Sequence, residues 1–254
     1  MLLENKTAIV YGAAGSIGSS VARAYAREGA QVHLAGRTVS SLEAVAEVIR
    51  SAGGVAHAAQ LDVLDKDAVQ RHATGVVDTS GGIDVCFNAT SNDDIQGRTL
   101  LDMPLGQFMQ PVTKSLTAQH AIATALAPHM ARRGGGAILV MGGGREAIPR
   151  LGGSHVAWAA LAGLCRQLAA DLGPHGIRVA WLLSPGSPGS ADDSPDAEPT
   201  DDPSHDAPPG TAGLIPRHRP SLEEVAGIAT FLASDSARTM TAAEINLTGG
   251  AVID

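Results

Sequence analysis

The chain has 254 residues, of which 44% are hydrophobic, 17% charged and only 3% aromatic, with a formal net charge of −8. That length and composition fit a soluble globular protein built as one α/β domain over residues 1–254, with a large core. The acidic balance argues against a nucleic-acid surface, and no run approaches the roughly 18 consecutive apolar residues of a membrane span.

The N-terminal MLLENK lacks the basic-then-apolar layout of a signal peptide, so a cytoplasmic location is expected. Thr7 to Tyr11 is a short β-branched run that reads as a buried parallel strand. Gly12, Gly15 and Gly18 follow at once, and Ile17 to Glu28 carries helical spacing. Strand, glycine turn and helix in that order form a phosphate cradle. Free N–H groups and the positive dipole end of the helix face an anion, and a Cβ in the turn would hold the backbone away from it.

Gly29 stops that helix, and Gln31 to Ala35 is a second strand ending at Gly36, Arg37 and Thr38. Ser40 and Glu43 have the spacing of a capping box for a helix closed by Gly53-Gly54. Val55 to Leu61 is a third strand, with Asp62-Val63 just past its end, and a polar helix follows from Asp65 to Ser80. Asp84 to Asn88 is a fourth strand, leading into the polar loop Ala89 to Gly97. Phe108 to Arg132 reads as a long helix in which Pro111 is tolerable only in the first turn. A fifth strand (Ala137 to Met141), a glycine-rich connection (Gly142 to Gly153), a second long helix (Ser154 to Leu172) and a sixth strand (Ile177 to Leu183) come next. The Pro- and Asp-rich stretch at about 184–213 carries seven acids and no Lys or Arg. Its composition predicts an insertion that cannot fold alone, or a lid. Ser221 and Glu224 cap a helix through Leu232, and Glu244 to Leu247 is a last strand. Cys86 and Cys165 have neither metal nor disulfide spacing and read as buried small hydrophobes. Strands alternating with helices predict a Rossmann-type doubly wound parallel sheet of about seven strands with helices on both faces.

The order of these motifs resembles the short-chain dehydrogenase/reductase family over nearly the whole chain. The family's Thr-Gly-x-x-x-Gly-x-Gly is similar to Tyr11, Gly12, Ser16 and Gly18, its Asp-Val to Asp62-Val63, its Asn-Asn-Ala-Gly to Phe87-Asn88-Ala89-Thr90, and its Pro-Gly to Pro185-Gly186. GPHGIRV (Gly173 to Val179), FLASD (Phe231 to Asp235) and the Gly249-Gly250 ending look like the family too. The resemblance implies a dinucleotide held by Gly12, Gly15, Ser16, Ile17, Gly18, Gly36, Arg37, Thr38, Asp62, Val63, Asn88, Ala89, Thr90, Pro185 and Gly186. Relatives that use NAD(H) carry an acid at the end of the second strand for the ribose 2′-hydroxyl. Here Gly36 and Arg37 stand there, and a guanidinium pairs with a 2′-phosphate, so NADP(H) is favoured over NAD(H).

The resemblance fails at the reaction end. Relatives protonate their substrate with a Tyr whose pKa is lowered by a Lys four residues on. Spacing from Gly176-Ile177-Arg178-Val179 places Ser154 and Trp158 at those positions. The family's Ser falls at Gly143 and its helix Asn at Ser115. Pro188 stands where an N–H holds the carboxamide, with Ser190 nearby. His155 is a speculative acid, and Lys114 and His120 are weaker ones. Arg145 and Glu146 overlie the expected cleft, while Asp93 and Asp94 are expected to face solvent. Two functions follow. One is an NADP(H)-dependent oxidoreductase with a rebuilt site, acting on a small carbonyl or enone. The other is a non-redox protein on the same scaffold, such as a cyclase, an isomerase or a nucleotide-binding partner subunit. The resemblance also implies a homodimer or homotetramer built through the two long helices, and no metal.

Overall fold

A computed structural model describes residues 1–145, 147–183 and 220–248. In chain order the elements are β1 (Thr7–Tyr11), α1 (Ser16–Arg27), β2 (Gln31–Gly36), α2 (Val39–Ser51), β3 (Val55–Gln60), α3 (Lys66–Ser80), β4 (Val85–Asn88) and α4 (Leu105–Arg132). They continue with β5 (Gly136–Met141), α5 (Ser154–Leu172), β6 (Ile177–Leu183), α6 (Leu222–Ala233) and β7 (Ala243–Asn246). The strands form one sheet in the order β3-β2-β1-β4-β5-β6-β7, every pair parallel. This is the expected doubly wound architecture. Its order reverses between β1 and β4, and a crevice opens beyond the carboxyl ends of the strands at such a switch point.

Both faces of the sheet are covered. Ile9, Cys86, Ile138, Val179 and Trp181 pack on α3, α4 and α5, and Val10, Leu34, Phe87, Leu139 and Leu182 pack on α1, α2 and α6. Parallel strands buried on both sides need apolar residues at successive positions, which is why β1 and β4 are buried along their whole lengths. Leu34, Phe87 and Tyr25 are wholly removed from water, and such burial contributes on the order of 2 kcal/mol per side chain. Cys86 and Cys165 are buried free thiols, the latter's pKa raised by burial to about 12. Among the described residues no helix is long and apolar enough to cross a membrane.

Two local expectations are corrected. The capping box of Ser40 and Glu43 does not form: α2 begins at Val39, Thr38 is its N-cap with no side-chain cap bond, and Glu43 instead receives Arg50 at 2.8 Å. Nor does Pro111 lie in a first turn. Helix α4 starts at Leu105, one turn earlier than expected, which leaves Pro111 in its interior and buried. By contrast Ser221 and Glu224 make both bonds of their capping box on α6, and Asp65 caps α3 through Ala68 N.

Candidate active site

The glycine turn sits at the carboxyl end of β1. Gly12 has φ +74°, and a Cβ there would lie 2.6 Å from the Ala89 carbonyl oxygen and 2.9 Å from Thr90 N. At Gly18 a Cβ would lie 2.3 Å from the Gly12 oxygen. These two glycines are therefore required by close backbone approaches within the protein, between the turn and the β4 loop and between the turn and α1. Only Gly15, the α1 N-cap, is open on its outer side: a Cβ would meet nothing nearer than Gly12 O at 3.4 Å. Gly15 and Ser16 are exposed, Ile17 is half-buried, and the first turn of α1 carries no acid. The N–H groups there present a positive dipole end without competition.

A groove of about 650 Å³ begins at this turn and runs over the ends of β2, β3 and β4, lined by Gly12, Gly36, Arg37, Asp62, Val63 and Thr90 among others. Thr38 stands beside it as the exposed N-cap of α2. The backbone of Arg37 is pinned by Gln60 Nε2, which donates to its carbonyl at 2.9 Å, while its side chain is 68% exposed. Asp62 turns the chain by accepting Leu64 N at 3.0 Å, and Val63 is buried. Asn88 holds the next wall: its Oδ1 accepts Thr90 N and Thr90 Oγ1 at 3.1 and 2.7 Å, and its Nδ2 donates to Gln119 Oε1 at 2.9 Å. Ala89 N is bonded to Tyr11 O at 2.9 Å. Thus the described residues expected to hold the adenosine and phosphate end lie at one end of the sheet. Gln119, fully buried on α4, is a supporting residue the sequence did not reveal.

The reaction end is different in kind. Ser154, at the start of α5, is completely buried, and its hydroxyl donates to Asp94 Oδ2, which also accepts Gln96 Nε2 at 2.6 Å. The expectation that Asp94 faces solvent is thereby corrected. It is half-buried because the 91–103 loop folds down onto the glycine-rich connection, as the Arg98–Leu151 bridge and the Gly97 N–Arg150 O bond of 2.9 Å show. Four residues on, the indole of Trp158 lies over Gly143, where a Cβ would stand 2.0 Å from Trp158 Cε2. A serine at 143 and this tryptophan cannot share that space. Ser115 is half-buried on α4, one turn beyond Pro111, whose ring borders the start of α5 at Gly153. His155 is half-buried with Nδ1 unpartnered among the described residues, and the hydroxyl of Ser154 turns to Asp94, not to this imidazole.

Asp93 is exposed, as expected, and forms ion pairs with Lys114 and, at 3.9 Å, with Arg37. The Lys114 ammonium holds the Asp93 carboxyl below the ordinary range. His120, the other weaker acid candidate, is exposed. Arg145 pairs with Glu244, which also accepts Trp181 Nε1. Glu146, Pro185, Gly186, Pro188, Ser190, Gly249, Gly250 and the acidic 184–213 stretch lie outside the described residues.

Residues 12–252 match the family profile described as enoyl-(acyl carrier protein) reductase. An L-rhamnose 1-dehydrogenase (NAD(P)(+)) of Azotobacter vinelandii is 31% identical across 100% of this chain and 99% of its own length. A D-threitol dehydrogenase of Mycolicibacterium smegmatis is 29% identical across 99% and 94%. The crystal structure of a hydroxysteroid dehydrogenase from Escherichia coli superposes with a TM-score of 0.81 at 25% identity, covering 98% of this chain and 97% of that one. A dinucleotide cradle at the switch point of a seven-stranded parallel sheet, matched in sequence from Gly12 almost to the C-terminus, places this chain in the short-chain dehydrogenase/reductase family.

Proposed function

We propose that this protein is an NADP(H)-dependent oxidoreductase of small carbonyl or enone compounds, working with a rebuilt proton-handling site. The observation that carries this reading is the groove that runs from Gly12 of the glycine turn, beside the open α1 N-terminus, to the Arg37 guanidinium. Gly15, Ser16 and Ile17 would hold the pyrophosphate, Asp62, Val63 and Thr90 the adenosine, and Arg37 the 2′-phosphate. A neutral Gly36 ends β2, where relatives that use NAD(H) carry an acid that repels a phosphate. Bound nicotinamide supplies or accepts the hydride.

At the reacting oxygen the protein uses Ser154 and Asp94. A lone serine hydroxyl has no useful acidity near neutral pH. Ser154 does not act alone, since its proton is already directed at a carboxylate. Ser154 is wholly buried, so the wall over it must open to admit substrate. In the oxidative direction the substrate hydroxyl then gives its proton to Ser154 Oγ as the Ser154 proton passes to Asp94 Oδ2. In the reductive direction the same two protons move back. Trp158, whose indole lies over Gly143, supplies an apolar ring where relatives carry a cation. The two long helices leave Met109 and Val156 39% and 40% exposed, which supports a homo-oligomer that light scattering will test.

Two measurements test the proposal. Calorimetry is expected to show tighter binding of NADPH than of NADH, with the difference lost in Arg37→Ala; equal affinities in the unaltered protein would defeat it. Turnover with a panel of ketones, quinones and enones is expected to fall by about 10²–10³-fold in Asp94→Asn. An unchanged rate would remove Asp94 from the proton path.

A further inference from the structure

We infer that Lys114 is a second ligand of the nucleotide's 2′-phosphate, and that Asp93 is a built-in stand-in for that phosphate, displaced when it arrives. The inference rests on the NADP(H) reading above and deepens it. One carboxylate oxygen, Asp93 Oδ2, bonds Lys114 Nζ and stands 3.9 Å from an Arg37 guanidinium nitrogen. Two cations from distant parts of the chain, the end of β2 and the second half-turn beyond Pro111 on α4, therefore converge on one anionic atom. That atom lies on the wall of the same groove, since Arg37, Asp93, Gln110 and Lys114 all line it.

The two cations are unlike. The side chain of Arg37 is 68% exposed, whereas that of Lys114 is only 14% exposed. A surface arginine is content in water, but an ammonium withdrawn this far needs an anion beside it. Asp93 meets that need at some cost. Its backbone has φ +52°, the left-handed region that non-glycine residues seldom adopt. Its loop is held down by Gln110 Nε2, which donates to Asp93 O at 3.3 Å, and its turn is fixed locally by Ser91 Oγ, which accepts Asp93 N at 3.0 Å. At 3.9 Å the carboxylate is too far from Arg37 for a hydrogen bond. A phosphate dianion, with three acceptor oxygens, is able to engage both cations at once. Arg37 and Lys114 are balanced in this groove by Asp93 and Asp62, so the phosphate takes its place by exchange with Asp93.

The test uses 2′,5′-ADP and ADP as probes of the full-length protein, read by calorimetry, because their difference reports the 2′-phosphate without the reaction end. The preference for 2′,5′-ADP is expected to fall about tenfold in Lys114→Met, which keeps the buried stem, and to persist in Lys114→Arg. Asp93→Asn is expected to strengthen 2′,5′-ADP severalfold while ADP affinity stays within twofold. If Arg37→Ala removes the preference but Lys114→Met leaves it intact, the second-ligand assignment is wrong and the NADP(H) reading stands. If the unaltered protein shows no preference at all, the NADP(H) reading itself fails. Weaker 2′,5′-ADP binding in Asp93→Asn would overturn the stand-in role, with melting temperatures of all variants confirming that each is folded.

Discussion

The adenosine end and the reaction end of this groove are built to different rules. At the adenosine end the backbone dictates the residues: Gly12 and Gly18 are fixed by approaches of 2.6 and 2.3 Å that any Cβ would make impossible. At the reaction end the side chains dictate one another. Trp158 requires Gly143, and Ser154 requires Asp94. The first kind of constraint serves the fold and the cofactor together, so it resists change. The second can be rebuilt as long as its members change in concert.

The largest effect expected from breaking this contrast is on turnover, through Ser154→Ala. Loss of the hydroxyl cuts Asp94 off from the substrate oxygen and leaves it only its bond from Gln96, and the rate should fall by about 10²–10³-fold with NADPH affinity unchanged, which steady-state kinetics will show. Gly143→Ser comes next. It forces the indole out of its place and should cost about 2–3 kcal/mol in urea unfolding. The paired change Gly143→Ser with Trp158→Lys should recover most of that loss, and a double-mutant cycle showing simple additivity would deny that the two residues interlock. Gly12→Ala tests the other region. Strain at φ +74° together with the contact on Ala89 should lower the unfolding free energy by about 2 kcal/mol and weaken nucleotide binding as well.

A smaller effect involves neither end. His33 is buried, bonded to Ser80 Oγ at 2.8 Å and stacked on His57 with ring centroids 4.8 Å apart. Burial lowers its pKa to about 4, and burial does the same to His72. Both groups bind protons more weakly folded than unfolded, so the unfolded chain is favoured as acid is added. Stability should be flat above pH 7 and decline from about pH 6.5 towards pH 4, by about 1 kcal/mol for each histidine once partial hydration is allowed for. Thermal melts across that range check the slope, and His33→Gln should flatten part of it.

The parts legible in the sequence were those whose signal is local. The bounds of α5 and β6 follow from periodicity and flanking glycines, and the order of strands from their alternation with helices. Even local signals were ambiguous where context decides. Ser40 and Glu43 have the same spacing as Ser221 and Glu224, but β2 runs on to Gly36 and α2 begins at Val39, so Ser40 falls inside the helix. The partners Asp93–Lys114 and Asp94–Ser154 were not legible, because their members lie 21 and 60 residues apart and meet only when the loop after β4 settles on two helices. Adjacent acids in a polar loop look like solvated charges until the neighbours are known. Similarly, Gly143 and Trp158 read as two separate departures from the family pattern, and only the packing of indole on glycine couples them.

That packing makes position 143 depend on position 158 and not the reverse. An indole placed as Trp158 is leaves no room for any side chain at 143, whereas glycine at 143 sets no such limit on what stands at 158. A smaller residue at 158 can therefore be introduced alone, while a larger one at 143 must be matched by a change at 158. Any redesign of this corner has to begin at the tryptophan.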